Sequence, residues 1–106
     1  MPKYLINVSY TADGAKGLRK DGGTKRRDVA NRAAKGLGGT VEAFYFCFGQ
    51  DDAVLLVDFP DNVSAAALSL AVAATGSVRL ITTPLITPEE MDRASQKKTA
   101  YKAPGA

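Results

Sequence analysis

Residues 40–58, "TVEAFYFCFGQDDAVLLVD", hold the feature that most limits what this chain can fold into: two β-prone runs joined by a Gly/Asp turn, apolar on both faces. In the first run Phe44, Phe46 and Phe48 fall on one side and Ala43, Tyr45 and Cys47 on the other. The second, "AVLLVDF", has no polar side chain before Asp58. A strand in a small antiparallel sheet ordinarily alternates, because one face meets the core and the other meets water. The short "GQDD" connection predicts an antiparallel hairpin. That hairpin needs cover on both faces, and 106 residues make one modest core, not two.

The flanking segments cover one face. "KYLINVSY" (3–10) alternates cleanly, with Tyr4, Ile6, Val8 and Tyr10 on one side and Leu5, Asn7 and Ser9 on the other. "TADGAKGLRKDGG" is too rich in Gly, Asp and Lys to predict a helix throughout. A first helix is expected from a Thr24 cap, with Val29, Ala30, Ala33 and Leu37 as its inward stripe and Gly38-Gly39 as a left-handed stop. Asp61 caps an alanine-rich helix ended by Gly76, and "SVRLITTPLI" reads as the fourth strand. In "ITPEEM", Thr87 and Glu90 form a capping box around Pro88, with Ile86 and Met91 as a hydrophobic staple, so a short helix starts near 88. Residues 1–98 are expected to form a single domain, followed by a tail, 99–106, with little to bury.

The order β-α-β-β-α-β plus a short C-terminal helix predicts a ferredoxin-like α+β domain, a four-stranded antiparallel sheet with helices on one face. The other face, carrying Leu5, the apolar residues of the second and third strands, and Leu80 or Ile81, is then left bare. A second copy packed sheet to sheet in a two-fold dimer would cover it.

Composition closes off whole classes of chemistry. The chain has no histidine and one cysteine, Cys47. Ser-His-Asp and Cys-His pairs, histidine-ligated haem and Cys/His zinc sites are therefore excluded, as is an internal disulfide, and no cofactor or metal is expected. A net charge of +3 is compatible with a small anionic ligand but far below the density of a nucleic-acid-binding arm. RNA-recognition modules share the topology and stack bases on aromatics of the first and third strands. The third strand here has none at its central positions, so no nucleic acid is expected. "GLGG" at 36–39 follows a helix and precedes a strand, the reverse of a dinucleotide fingerprint. The lone cysteine, an N-terminal segment without a signal-type apolar core, and the lack of a membrane-length apolar run lead to the expectation of a soluble cytoplasmic protein with no membrane partner.

The pattern resembles the GYD domain family of the dimeric α/β-barrel, ferredoxin-like superfamily. The resemblance rests on "YLINVSYT", "TKRR", "GGTVEAFYFCFGQDD" with its G-x-x-D turn from Gly49 to Asp52, "AAALSLAVAATGSVR" and "ITPEEM", together spanning residues 3 to 92. One departure matters: Asp51 stands where the family has tyrosine in Gly-x-Tyr-Asp, so a role resting on that ring does not carry over, while Gly49 and Asp52 match. The resemblance implies a barrel-like homodimer in a bacterial cytoplasm. It implies no settled activity, since relatives in the superfamily include cofactor-independent monooxygenases, small isomerases and ligand-sensing domains.

Several residues are candidates for a site. Lys25 and Arg26, with Arg27, lie in the first turn of the expected helix, where the dipole disfavours cations and the free N–H groups after "DGGT" attract anions. Arg26 leans inward, at i, i+3 and i+4 from Val29 and Ala30; the competing reading is a solvated face balanced by Asp21 and Asp28. Asn7 and Ser9 point into the dimer, either toward a ligand or toward one another and water. Tyr45 could orient or protonate an enolate-like oxygen with Asn7 as its catalytic partner, or simply pack; Cys47 has no base to activate it and reads as core. Asp51 and Asp52 could bind a divalent cation with water completing the shell, and Asp52 is a candidate ligand contact, but adjacent aspartates also suit a turn for backbone reasons. Asp58 reads either as an inward acid or as a strand exit. The leading expectation is a small-molecule-binding or accessory protein with a pocket between helices and sheet, taking an anionic or aromatic ligand. The alternative is a cofactor-independent monooxygenase or isomerase. A third possibility is an interaction module with the hollow packed shut by Phe44, Phe46 and Phe48.

Overall fold

β1 (Lys3–Tyr10) is the strand its alternation predicts, with Tyr4, Ile6 and Val8 buried and the residues between them half-buried. In the computed structural model, which describes Met1–Ala106, it is followed by α1 (Ala12–Asp21), α2 (Gly23–Gly36), β2 (Thr40–Phe46), β3 (Ala53–Asp58), α3 (Asn62–Ala73), β4 (Val78–Leu85) and α4 (Pro88–Ser95). The four strands form one antiparallel sheet in the order β2-β3-β1-β4, consistent with a ferredoxin-like arrangement. α2 leans on β2 and α3 on β4, the two outer strands, and both cover the same face. The core is small: Tyr4, Ile6, Val8, Leu55, Val57 and Phe59 from the sheet side meet Ala34 of α2 and Ala65 of α3. The Phe59 ring packs tilted on Tyr4, centroids 5.8 Å apart.

Two expectations need correction. The segment 12–21 is a helix, capped by Thr11, whose hydroxyl accepts from the Gly14 amide at 3.3 Å. Its glycines argued against that, yet Gly14 is there for contact: a Cβ would fall 1.9 Å from the Ser77 carbonyl oxygen. That same oxygen accepts from the Thr11 amide. Thr24 is consequently not a cap. α2 starts at Gly23 behind Gly22, which at φ 84° takes a left-handed conformation and provides no side-chain cap.

The second correction concerns β2, which ends at Phe46 and leaves Phe48 wholly exposed. A bulge between Val41 and Ala43 restarts the alternation, so Val41 (opposite Val57) and Phe44 (opposite Leu55) both face the helices. Without the extra residue Glu42 would share a face with Phe44 and point into the core. Phe44 and Phe46 meet edge to face at 5.1 Å, and Gly23 lets α2 approach the Phe46 ring. The three phenylalanines therefore do not fill the interior as a set.

Helix boundaries otherwise follow the local chemistry. The Asp61 carboxylate accepts from the Ser64 amide at 2.8 Å and caps α3. At α4 the capping box is complete: the Thr87 hydroxyl accepts from the Glu90 amide at 3.1 Å, and the Glu90 carboxylate accepts from the Thr87 amide at 2.9 Å. α4 nevertheless touches little. Every residue from Thr83 to Ala106 is exposed, Ile86 and Met91 included.

The opposite face of the sheet is uncovered. Register places Tyr45, Val54, Asn7 and Ile81 in one row across the four strands and Ala43, Leu56, Leu5 and Thr83 in the next. Charged groups lie toward the two ends. Lys3 pairs with Glu42 at 2.7 Å and Asp58 at 2.9 Å at one end, and Asp51 sits at the other. The surface of the chain is 7608 Å², whereas a compact monomer of this mass would expose roughly 5,700 Å². The radius of gyration, 16.9 Å, likewise exceeds the roughly 13 Å of a compact domain this size.

Candidate functional site

Because α2 and α3 rest on opposite edges of the sheet, the ground between them is not filled. An inner chamber of about 100 Å³ lies over the middle of the sheet, walled by side chains such as Val8, Leu55, Phe44 and Leu80 below and Ala33 and Leu68 above. Fifteen of its sixteen lining residues are hydrophobic, and the remaining one is Arg26. A wider mouth of about 420 Å³, between α1, α2 and α3, shares Tyr10, Arg26, Val29, Ala33, Leu68 and Val72 with the chamber and adds Asp13 and Asp21 at its rim. Together they make a cleft in the size range of small-molecule sites, apolar with few polar groups.

Arg26 differs from the cations beside it. Lys25 pairs with Asp21 at 3.5 Å and Arg27 with Asp28 at 3.6 Å, and neither pair lines the chamber. The half-buried Arg26 has no carboxylate within ion-pair distance and lies on the helix stripe that continues through Val29, Ala30 and Ala33 into the chamber. The competing reading, a balanced solvated face, thus describes its neighbours and not Arg26.

The other candidates lie elsewhere. Asn7, Ser9 and Tyr45 are on the open face, with the sheet between them and Arg26. The Asn7 amide donates to the Asp51 carboxylate at 3.0 Å and the Ser9 hydroxyl donates to it at 3.4 Å. Tyr45 is 69% exposed and stands two strands from Asn7, about 10 Å away at the usual strand spacing. Asp52 is bound into the end of the sheet: its carboxylate accepts from the Tyr10 amide, its amide donates to the Val8 carbonyl, and its carbonyl accepts from Cys47, each at 2.8 Å. Cys47 is half-buried and donates its thiol to the Asp51 carbonyl at 3.2 Å. Asp58 is held by Lys3 on the open face, so it is not an inward acid.

Electrostatic perturbations fall outside the cleft. Hydrogen bonds to Glu42 and Asp58 hold the Lys3 ammonium above the ordinary lysine range. The Ser64 amide holds the Asp61 carboxyl below its usual value, and the Thr87 amide does the same for Glu90. No three His, Cys, Asp or Glu side chains converge as a metal site would require, and no helix is long and apolar enough to cross a membrane.

Sequence reasoning missed Tyr10, Leu68 and Val72 as cleft walls and Asp51 as the acceptor for Asn7 and Ser9. The first three were visible only as apolar positions on core-facing stripes, and nothing in a linear pattern separates a core wall from a cleft wall.

Fold and cleft define a class: a small α+β domain with one helix-covered sheet face, an apolar cleft beneath the helices and a bare second face. Within that class the family is specific. The model of the GYD domain matches residues 4–95, and the chain belongs to that family. No match was found among curated proteins or solved structures.

Proposed function

We propose that the protein is a small-molecule-binding domain working as a homodimer, with one ligand in the cleft of each protomer and the two open sheet faces packed together. The observation behind the binding reading is the cleft itself, a solvent-reachable apolar hollow with one unpaired cation on its wall. Asn7 and Tyr45, the groups suited to orienting an oxyanion, face away from it. That placement favours binding over a cofactor-independent monooxygenase or isomerase.

The dimer is supported by the other side of the sheet. The helices lie on the opposite face, so Leu5, Val54, Leu56 and Ile81 form an uncovered apolar patch of the kind that marks an association surface. An eight-residue helix is marginal in water by itself. α4, well capped but unpacked, is therefore expected to lie against the second copy.

Native mass spectrometry of the protein gently purified from its host tests both parts. The expected species is a dimer, or a multiple of it, with added small-molecule mass that disappears in an Ala33→Phe variant built to fill the chamber. A bare monomer at micromolar concentration would overturn the proposal.

A further inference from the structure

We propose that the ligand of the cleft is a monocarboxylate with an apolar body, its carboxylate held by Arg26 at the junction of chamber and mouth. This inference rests on the binding reading above and narrows it to a chemical class. Three observations carry it. Apart from Arg26 and the phenol of Tyr10 the chamber wall is aliphatic or phenylalanine, so the part of the ligand that enters must be apolar. Arg26 has no carboxylate partner, whereas the cations on both sides of it do, so a charge-assisted acceptor is missing at this position alone among the three. A guanidinium offers a planar fork that fits a carboxylate with two parallel hydrogen bonds.

The rim sets the limit on charge. Asp13 and Asp21 line the same mouth as Arg26, and only Asp21 is paired, with Lys25. A second negative group extending outward would meet these carboxylates, which selects against dicarboxylates and phosphate esters. Arg26 also lies in the first turn of α2, which has no acidic residue and no side-chain cap, so the helix dipole adds to the attraction for one anion there. Size follows from volume. A cavity of about 150 Å³ accommodates benzene, so a chamber of about 100 Å³ accepts a short branched or linear alkyl end, with the remaining carbons in the mouth.

The test is titration of the isotope-labelled full-length protein with hexanoate, hexanol and hexylamine, followed by amide chemical shifts. Hexanoate is expected to bind about 10- to 100-fold tighter than hexanol, the range of one charge-assisted bidentate contact, with shifts at Val29, Ala33, Leu68 and Val72. Arg26→Gln should remove that preference by weakening hexanoate binding far more than hexanol binding; if the variant does not fold, the acid-against-alcohol comparison on the parent protein decides alone. Equal binding of acid and alcohol, tighter binding of the amine, or hexanoate shifts confined to the open face would overturn the carboxylate assignment while leaving the cleft as a binding site. Failure of all three probes to bind would overturn the cleft reading as well.

Discussion

Replacing Leu56 with aspartate tests the proposed sheet-to-sheet dimer in the apolar middle of the open face. Leu56 lies on the open face between Leu5 on β1 and Ala43 on β2. Within one protomer it is half-buried, so a polar side chain there keeps access to water and the monomer fold survives. Lys3, the nearest cation on that face, is already held by Glu42 and Asp58, and the short aspartate gains no ready counter-charge. In a dimer packed through this face each copy would carry an ionised carboxylate into a dry contact. Taking about 3 kcal/mol for each, and two copies by symmetry, the penalty is about 6 kcal/mol, or roughly 10,000-fold in dissociation constant. Sedimentation velocity from 1 to 50 μM on Leu56→Asp, with Leu56→Met as the size-matched control, reads this directly. The aspartate variant should sediment as a folded monomer by circular dichroism while the methionine variant stays dimeric. An aspartate variant that dimerises as tightly as the parent would refute the face-to-face arrangement.

Two glycines of α1 should respond in opposite directions. Gly14→Ala drives a methyl into the Ser77 carbonyl and should destabilise by about 1–3 kcal/mol in urea unfolding, while Gly17→Ala, with open space around its Cβ position, should stabilise by about 0.5–1 kcal/mol. Phe59→Ala empties a fully buried site against Tyr4 and should cost about 3–5 kcal/mol in the same assay. The Asp61 cap has a pH signature. Its folded-state pKa is depressed, so its contribution is complete above the ordinary carboxylate range and fades as pH falls through the lowered value. The difference in thermal midpoint between the parent and Asp61→Ala should therefore be largest near neutrality and shrink below pH 4; a constant difference would mean the charge is not what caps α3.

How much of this could be read from the sequence depends on how local each cause is. The Thr87–Glu90 capping box, the Asp61 cap and the Gly38 turn are set within a few residues, and they occur as expected. The alternation of Lys3–Tyr10 and the apolar run of Ala53–Asp58 gave the two inner strands. α1 was hidden because glycine lowers helix propensity, and the reason for Gly14, its contact with Ser77, lies 63 residues away in sequence. The bulge in β2 had a faint signal: Val41 and Phe44 are three apart, which a strict period of two cannot place on one face. For the site, the inward lean of Arg26 followed from its spacing to Val29 and Ala30. The side of Asn7 is legible as well, since the alternation of β1 sets it opposite Tyr4, Ile6 and Val8; the side of Tyr45 is not, because the pattern of a two-faced apolar hairpin does not distinguish the faces.

The bulge and Pro84 have a consequence for how this protein can associate with anything. β2 and β4 are the outer strands of the sheet, the places where a strand from another chain would add on. On β2 the ladder is interrupted at Glu42, and on β4 the residue opposite Tyr4 is a proline, which has no N–H to donate. Lateral extension is thus discouraged at both rims, and the broad apolar surface that remains is the face. A face joined to its own copy about a two-fold axis is used up by a single partner, so assembly through it stops at a closed pair instead of running on into a filament.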